Sequence, residues 1–209
     1  MHCLRNSMKA KKLRSAFFSV LVLTFSFILV WNGFNFLVSF FSYAAVSPDS
    51  HQVLRVILYG SSNTPEGDTV SAKIAVLNRQ GDDIAVIERS WPASFLAVDF
   101  STAEFGDKIY SFPEKIYGTN SVIPRHAFFM NRRPGTNLAP YYLENRRCLF
   151  GNDEREQKNL YKIANFALSP FSVLITGFSK KYTVNLAACE AGIYYGVFVE
   201  NGTLALRRE

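Results

Sequence analysis

Five arginines, Arg125, Arg132, Arg133, Arg146 and Arg147, fall within 23 residues, opposed there by a single acid, Glu144. Phe128, Phe129, Tyr141 and Tyr142 are interleaved with them. A guanidinium fork matches the oxygens of carboxylates and phosphates and stacks on aromatic rings. The five arginines with Tyr141 and Tyr142 are therefore the candidate contact residues for an anionic partner: acidic lipid headgroups, a polyanionic polymer or an acidic protein. The competing reading is a solvated basic face, its charges paired with acids such as Glu154 and Glu156.

Nucleophilic and metal chemistry have less to stand on. Outside the N-terminal region the histidines are His51 and His126, neither with a ligating residue at helical spacing. Cys148 and Cys189 are the cysteines of the same region. A disulfide between them would close a loop of about 40 residues, contributing about 3–4 kcal/mol in the chain-entropy picture. Two free buried thiols are the equal alternative. A Cys148–His126 nucleophile pair is a weaker third reading, because no residue can be named to orient the histidine. No Gly-x-Ser-x-Gly elbow, phosphate loop or dinucleotide fingerprint follows a strand-like segment. The sequence thus predicts no catalytic set, no metal site and no cofactor, and favours a non-enzymatic chain over an enzyme with an unrecognised active site.

Net charge decides where such a contact surface would sit. The 209 residues carry a formal +6 and a pI near 9.3, values that by themselves suggest nucleic acid. Five of the 23 Lys and Arg, namely Arg5, Lys9, Lys11, Lys12 and Arg14, lie in residues 1–46, which hold no Asp or Glu. The other 18 share the rest of the chain with all 17 acids, leaving it almost neutral. No nucleic-acid partner is expected.

A short basic stretch followed at once by apolar sequence is a membrane-targeting pattern. Residues 16–46 contain no ionisable Lys, Arg, Asp, Glu or His. About 20 apolar residues cross a hydrocarbon core of roughly 30 Å, and residues 16–36 supply them. The run is longer than the apolar region of a cleaved signal peptide, although Ser42-Tyr43-Ala44 offers small residues for a cut after Ala44. A secreted module released near Ala44 is therefore the alternative to an uncleaved signal anchor. The charge asymmetry predicts a cytoplasmic N-terminus and an extracytoplasmic C-terminal region in a single-pass membrane protein. The expected organisation is a basic cytoplasmic segment (1–15), a transmembrane anchor (16–42), a linker (43–51) and an extracytoplasmic domain (52–209).

The outer region reads mostly as strands. Residues 52–59, rich in β-branched and aromatic side chains, run up to Gly60-Ser61-Ser62-Asn63-Thr64-Pro65, a loop-like composition. In residues 69–77, Val70, Ala72, Ile74 and Val76 alternate with polar partners, and residues 84–91 return after the turn cluster 78–83, giving an antiparallel hairpin. Residues 94–100 and 108–112 are shorter strands, the second ended by Pro113. Residues 117–147 carry Gly118, Pro124, Pro134, Gly135 and Pro140 and read as loop, with a short strand at 126–130. One helix is predicted over 154–168, capped by Asp153, with Leu160, Ile163, Ala164, Ala167 and Leu168 on one stripe. Strands at 172–176, 182–188, 193–199 and 203–206 follow, the last two joined across Glu200-Asn201-Gly202. The predicted fold class is one N-terminal transmembrane helix plus a β-rich (α+β) domain of mostly antiparallel strands with one helix; a β-sandwich is the alternative.

Overall fold

The computed structural model describes residues 2–47, 50–64, 67–120, 135–169, 172, 178–200 and 202–209. Its first element is a long helix, α1 (His2–Ser42), continued by a 3-10 turn at Tyr43–Ala45. The stretch Phe17–Ala45, whose most apolar 18-residue window has a mean hydropathy of 2.0, is long and apolar enough to cross a membrane. Large apolar side chains project on every side of it, among them Phe17, Leu21, Phe25, Val30 and Trp31, all exposed. A helix without a polar face is not the surface helix of a soluble domain.

The rest is a strand-rich antiparallel domain with few helices. One sheet has the order β11-β10-β1-β2-β3, formed by β1 (His51–Thr64), β2 (Gly67–Leu77), β3 (Asp83–Trp91), β10 (Tyr194–Glu200) and β11 (Thr203–Arg208). A second sheet has the order β6-β5-β4-β9, formed by β4 (Phe95–Phe105), β5 (Lys108–Thr119), β6 (Thr136–Asn137) and β9 (Ser179–Asn185). Neighbouring strands pair antiparallel throughout both sheets. A short helix α2 (Ala139–Tyr142), the two-stranded β7 (Leu143–Glu144) and β8 (Arg147–Cys148), and helix α3 (Glu154–Leu168) lie between β6 and β9.

The alternation read from the sequence places the side chains. Val70, Ala72, Ile74 and Val76 of β2 are buried and face the core. That core also takes Leu96, Val98, Phe100, Phe105, Phe112 and Ile116 from the second sheet, so the two sheets share one apolar interior. Helix α3 adds Leu160, Ile163, Ala164, Phe166 and Ala167 to the same interior, which is therefore not bounded by two sheets alone. Each buried Phe or Leu side chain contributes roughly 1.5–3 kcal/mol of transfer free energy.

Three strands, β1, β4 and β5, run several residues past the ends their composition suggests, and β1 and β5 do so through a bulge. β1 continues past Gly60 to Thr64 because a register shift between Leu58 and Gly60 absorbs one extra residue. Gly60 has φ +152°, which an L side chain rarely adopts, so glycine there makes the bulge rather than ending the strand. β5 continues past Pro113, which pairs with Phe100 beside a register shift between Asp99 and Phe100. A bulge is where a sheet tolerates a residue lacking an N–H. The strand expected at 126–130 lies outside the described residues, and so does nearly all of the one at 172–176; the described residue Ser172 is in a helical turn.

Helix α3 has the predicted bounds. Asp153 Oδ1 accepts from the Glu156 N–H at 2.8 Å, and Glu156 Oε2 reaches back to the Asn152 N–H at 2.9 Å. The reach-back falls one residue before the cap, a shifted version of the usual reciprocal pair. Asp153→Ala is expected to destabilise the protein by about 1 kcal/mol, while Asp153→Asn costs at most a few tenths. Chemical denaturation of the two variants checks this.

Residues 43–51 are not a free linker. Val46 is buried in the core, and its carbonyl accepts from Tyr110 OH and Lys108 Nζ, each at 2.9 Å. The Tyr43 ring stacks on Phe105 at a centroid distance of 5.8 Å. The described linker residues connect α1 to the domain through packed contacts.

Candidate functional site

Of the five arginines of the predicted basic cluster, Arg146 and Arg147 fall among the described residues. Arg125, Arg132, Arg133 and His126 lie outside the described residues. Arg146 is exposed at the tip of the β7–β8 hairpin, where Asn145 and Arg146 take φ values of +50° and +60°. Two residues in the left-handed region form the tight turn whose twist suits a hairpin. Arg147 follows and pairs with Glu154 at 2.8 Å. Tyr141 is exposed on α2.

Tyr142 is not a contact residue. Its side chain is fully buried, its hydroxyl donates to the Pro113 carbonyl at 2.8 Å, and its ring stacks on Phe150 at 4.5 Å. Burial raises its phenol well above the ordinary range. Adjacent tyrosines in a helical turn point in different directions, and the bonding partner inside the fold decides which one turns inward.

Cys148 and Cys189 are free thiols, the first buried on β8 and the second half-buried after β9. Desolvation raises Cys148 to about 12 and Cys189 to about 11. The nucleophile is the thiolate, and at pH 8 these values leave about 10⁻⁴ and 10⁻³ of it. Native protein is therefore expected to react with iodoacetamide at pH 8 far more slowly than a free cysteine at both positions, and denatured protein at the ordinary rate. Mass spectrometry after timed quenching reads the difference.

A second charge organisation lies on α3, off its apolar stripe. Arg155, Lys158 and Lys162 are exposed at positions i, i+3 and i+7, the spacing of one helix face. Glu154 is shared by Lys158 at 2.7 Å and Arg147 at 2.8 Å. The Lys158 hydrogen bond, and after it the Arg147 charge, lower the Glu154 carboxyl below its ordinary value. Arg155 and Lys162 have no carboxylate partner among the described residues; Lys162 Nζ donates to Asn159 Oδ1 at 3.3 Å.

Against this face stands the end of α1. Its residues Asn32, Phe36, Ser39 and Tyr43 recur at spacings of four, three and four, one stripe of a helix. Asn32 and Ser39 are buried although they follow an exposed apolar run. Ser39 Oγ donates to the Lys162 carbonyl at 2.9 Å, and Ser169 Oγ donates to Asn32 Oδ1 at 3.2 Å. Between them Phe36 sits among Phe178 at 4.8 Å, Phe166 at 5.7 Å and Phe105 at 5.9 Å. Phe166 is off the stripe predicted for α3, and it is buried because α1 covers it.

Beside this seam, α1 and α3 leave a groove of about 770 Å³. Val38, Phe41 and Ala45 form its apolar wall with Ser42; Arg155, Lys158 and Lys162 line the α3 side together with Glu154 and Asn159, leaving that side net basic. A smaller concavity of about 370 Å³ lies against Arg55. There Arg55 is paired with Glu209 at 3.1 Å and Asp83 at 3.4 Å, so its charge is already answered.

Compared with family models, curated proteins and solved structures, the chain matches none. The groove and the seam beside it therefore carry the functional argument on their own chemistry. Among the described residues no three His, Cys, Asp or Glu side chains are grouped to hold a metal ion.

Proposed function

We propose that the chain is a single-pass membrane protein whose domain lies outside the cytoplasm and serves as a non-enzymatic binding or envelope-assembly module. The supporting observation is the change of environment along one unbroken helix. From Phe17 to Trp31 the large apolar side chains of α1, Ile28 apart, are exposed; from Asn32 to Ser42 one face of the same helix is docked on α3. An uncovered apolar length suits lipid, and the basic residues before it set the orientation. The docked turns weigh against release near Ala44, since that cut would take Phe36 out of its ring cluster and leave Phe105, Phe166 and Phe178 bare.

In this reading the partner is anionic and meets the basic surface running from the β7–β8 hairpin, through Arg146, to α3, with Arg125, Arg132 and Arg133 as further contributors from the sequence. The domain is carried close to the bilayer by a stiff helix rather than on a tether. Protease added to sealed vesicles tests the topology. Vesicles with the cytoplasmic face outward are expected to protect the domain, and vesicles of the opposite orientation to expose it. Digestion in the first kind and protection in the second would reverse the assignment.

A further inference from the structure

We propose that the groove between α1 and α3 binds the headgroup of an anionic phospholipid from the leaflet on the domain's side. This deepens the reading above and rests on its membrane anchor.

The first argument is height. The apolar run begins at Ala16, and twenty residues at about 1.5 Å rise span the roughly 30 Å hydrocarbon core, ending near residue 35. Ser39 then stands about 6 Å beyond that boundary, inside a headgroup layer of roughly 5–7 Å. The bond from Ser39 Oγ to the Lys162 carbonyl places Lys162 at that level. Ser169 contacts Asn32, seven residues before Ser39, so α3 runs antiparallel to α1 and carries Lys158 and Arg155 one and two turns further out. Lys162 is thus the cation at headgroup level, while Lys158 Nζ turns outward to Glu154 at 2.7 Å.

The second argument is chemistry. A phospholipid at this level presents a phosphate beside the glycerol and upper acyl chain, an anion next to an apolar surface. The groove offers the complement: Arg155, Lys158 and Lys162 face Val38, Phe41 and Ala45. Phe41 is 78 % exposed, which an apolar ring tolerates at a lipid interface. Among the described residues Lys158 alone of the three has a carboxylate partner, and that partner, Glu154, is also held by Arg147. The charges of Arg155 and Lys162, with no carboxylate partner among the described residues, therefore remain for a ligand. A soluble anion would gain nothing from the apolar wall.

The test uses the full chain reconstituted in neutral phosphatidylcholine vesicles. Traces of a headgroup-photoactivatable phosphatidylglycerol or phosphatidylcholine are added, and cross-linked peptides are located by mass spectrometry. A cation at an anionic surface strengthens binding several-fold, and three partly screened ones are expected to give about a tenfold preference for the phosphatidylglycerol probe. Cross-links should fall on α1 beyond Leu37 and on α3. The triple variant Arg155→Gln, Lys158→Gln, Lys162→Gln should lose the preference, while Lys73→Gln, on the first sheet away from the groove, keeps it. Equal labelling by both probes, or a preference that survives in the triple variant, overturns the proposal. So does loss of the preference on adding excess inorganic phosphate to the wild-type protein, which would indicate a phosphate site with no lipid contribution. Failure of the chain to float with neutral vesicles overturns the anchor itself and the groove with it.

Discussion

Phe36→Ala is expected to destabilise the folded protein by about 2–3 kcal/mol, although Phe36 belongs to the long apolar helix α1 rather than to the strand domain. The ring is partly buried and meets Phe105, Phe166 and Phe178 at centroid distances of 4.8–5.9 Å. A fully buried Phe→Ala costs about 3–5 kcal/mol, and partial burial reduces that. A substitution nine residues earlier on the same helix and outside the seam, Phe27→Ala, should leave the domain's unfolding midpoint unchanged, since Phe27 is exposed. Denaturation of both variants in detergent micelles, followed by circular dichroism of the strands, separates them. If the two behave alike, the helix end is not part of the domain.

The second large effect is expected at the Arg79–Glu156 pair. The two side chains lie 2.7 Å apart, 7 % and 12 % exposed. Arg79 also donates to the Ser47 carbonyl at 2.8 Å, and Glu156 accepts from the Asn152 N–H at 2.9 Å. The pair thus joins the segment after α1, the β2–β3 turn and the start of α3. Removing one member of a buried pair leaves an uncompensated charge and costs about 3–5 kcal/mol, whereas replacing both by apolar residues of similar size is often close to neutral. Glu156→Leu alone is expected to show the full loss. Adding Arg79→Met should recover most of it, and urea denaturation of the two single variants and the double variant measures the coupling. A double variant as unstable as the sum of the singles would mean that the backbone contacts of these residues, rather than their mutual charge, hold the junction.

Much of the fold was legible because it rests on local pattern. The period-two alternation of β2, the turn after Leu77 and the apolar stripe of α3 each follow from nearest-neighbour geometry. Asp153 marks the start of α3 for the same reason. The misread strand ends come from residues whose meaning depends on a partner strand. Gly60 and Pro113 terminate strands in most contexts, and here each sits at a bulge that only the pairing register reveals.

The candidate site was less legible, because its parts come from opposite ends of the chain. The basic face of α3 was visible as residues off the apolar stripe, and it reads as solvated until α1 is placed beside it. Asn32, Ser39 and Ser42 were the available signal. Each interrupts an apolar run, and all three are buried against protein or the helix's own carbonyls. Polar residues at helical spacing near the end of a membrane span mark a face that meets protein, not lipid. Tyr142 illustrates the opposite error: an aromatic among arginines looks like a contact residue, yet its hydroxyl is satisfied by a carbonyl 29 positions away.

The central claim is that α1 and the domain are one folded unit, and the N-terminus of the mature protein tests it most directly. Intact mass and N-terminal sequencing of protein extracted from membranes are expected to show α1 retained, with Phe36 still attached to the domain it packs against. A mature chain that begins at Ala45 would contradict the account, because the domain would then fold and function without the helix that closes its core.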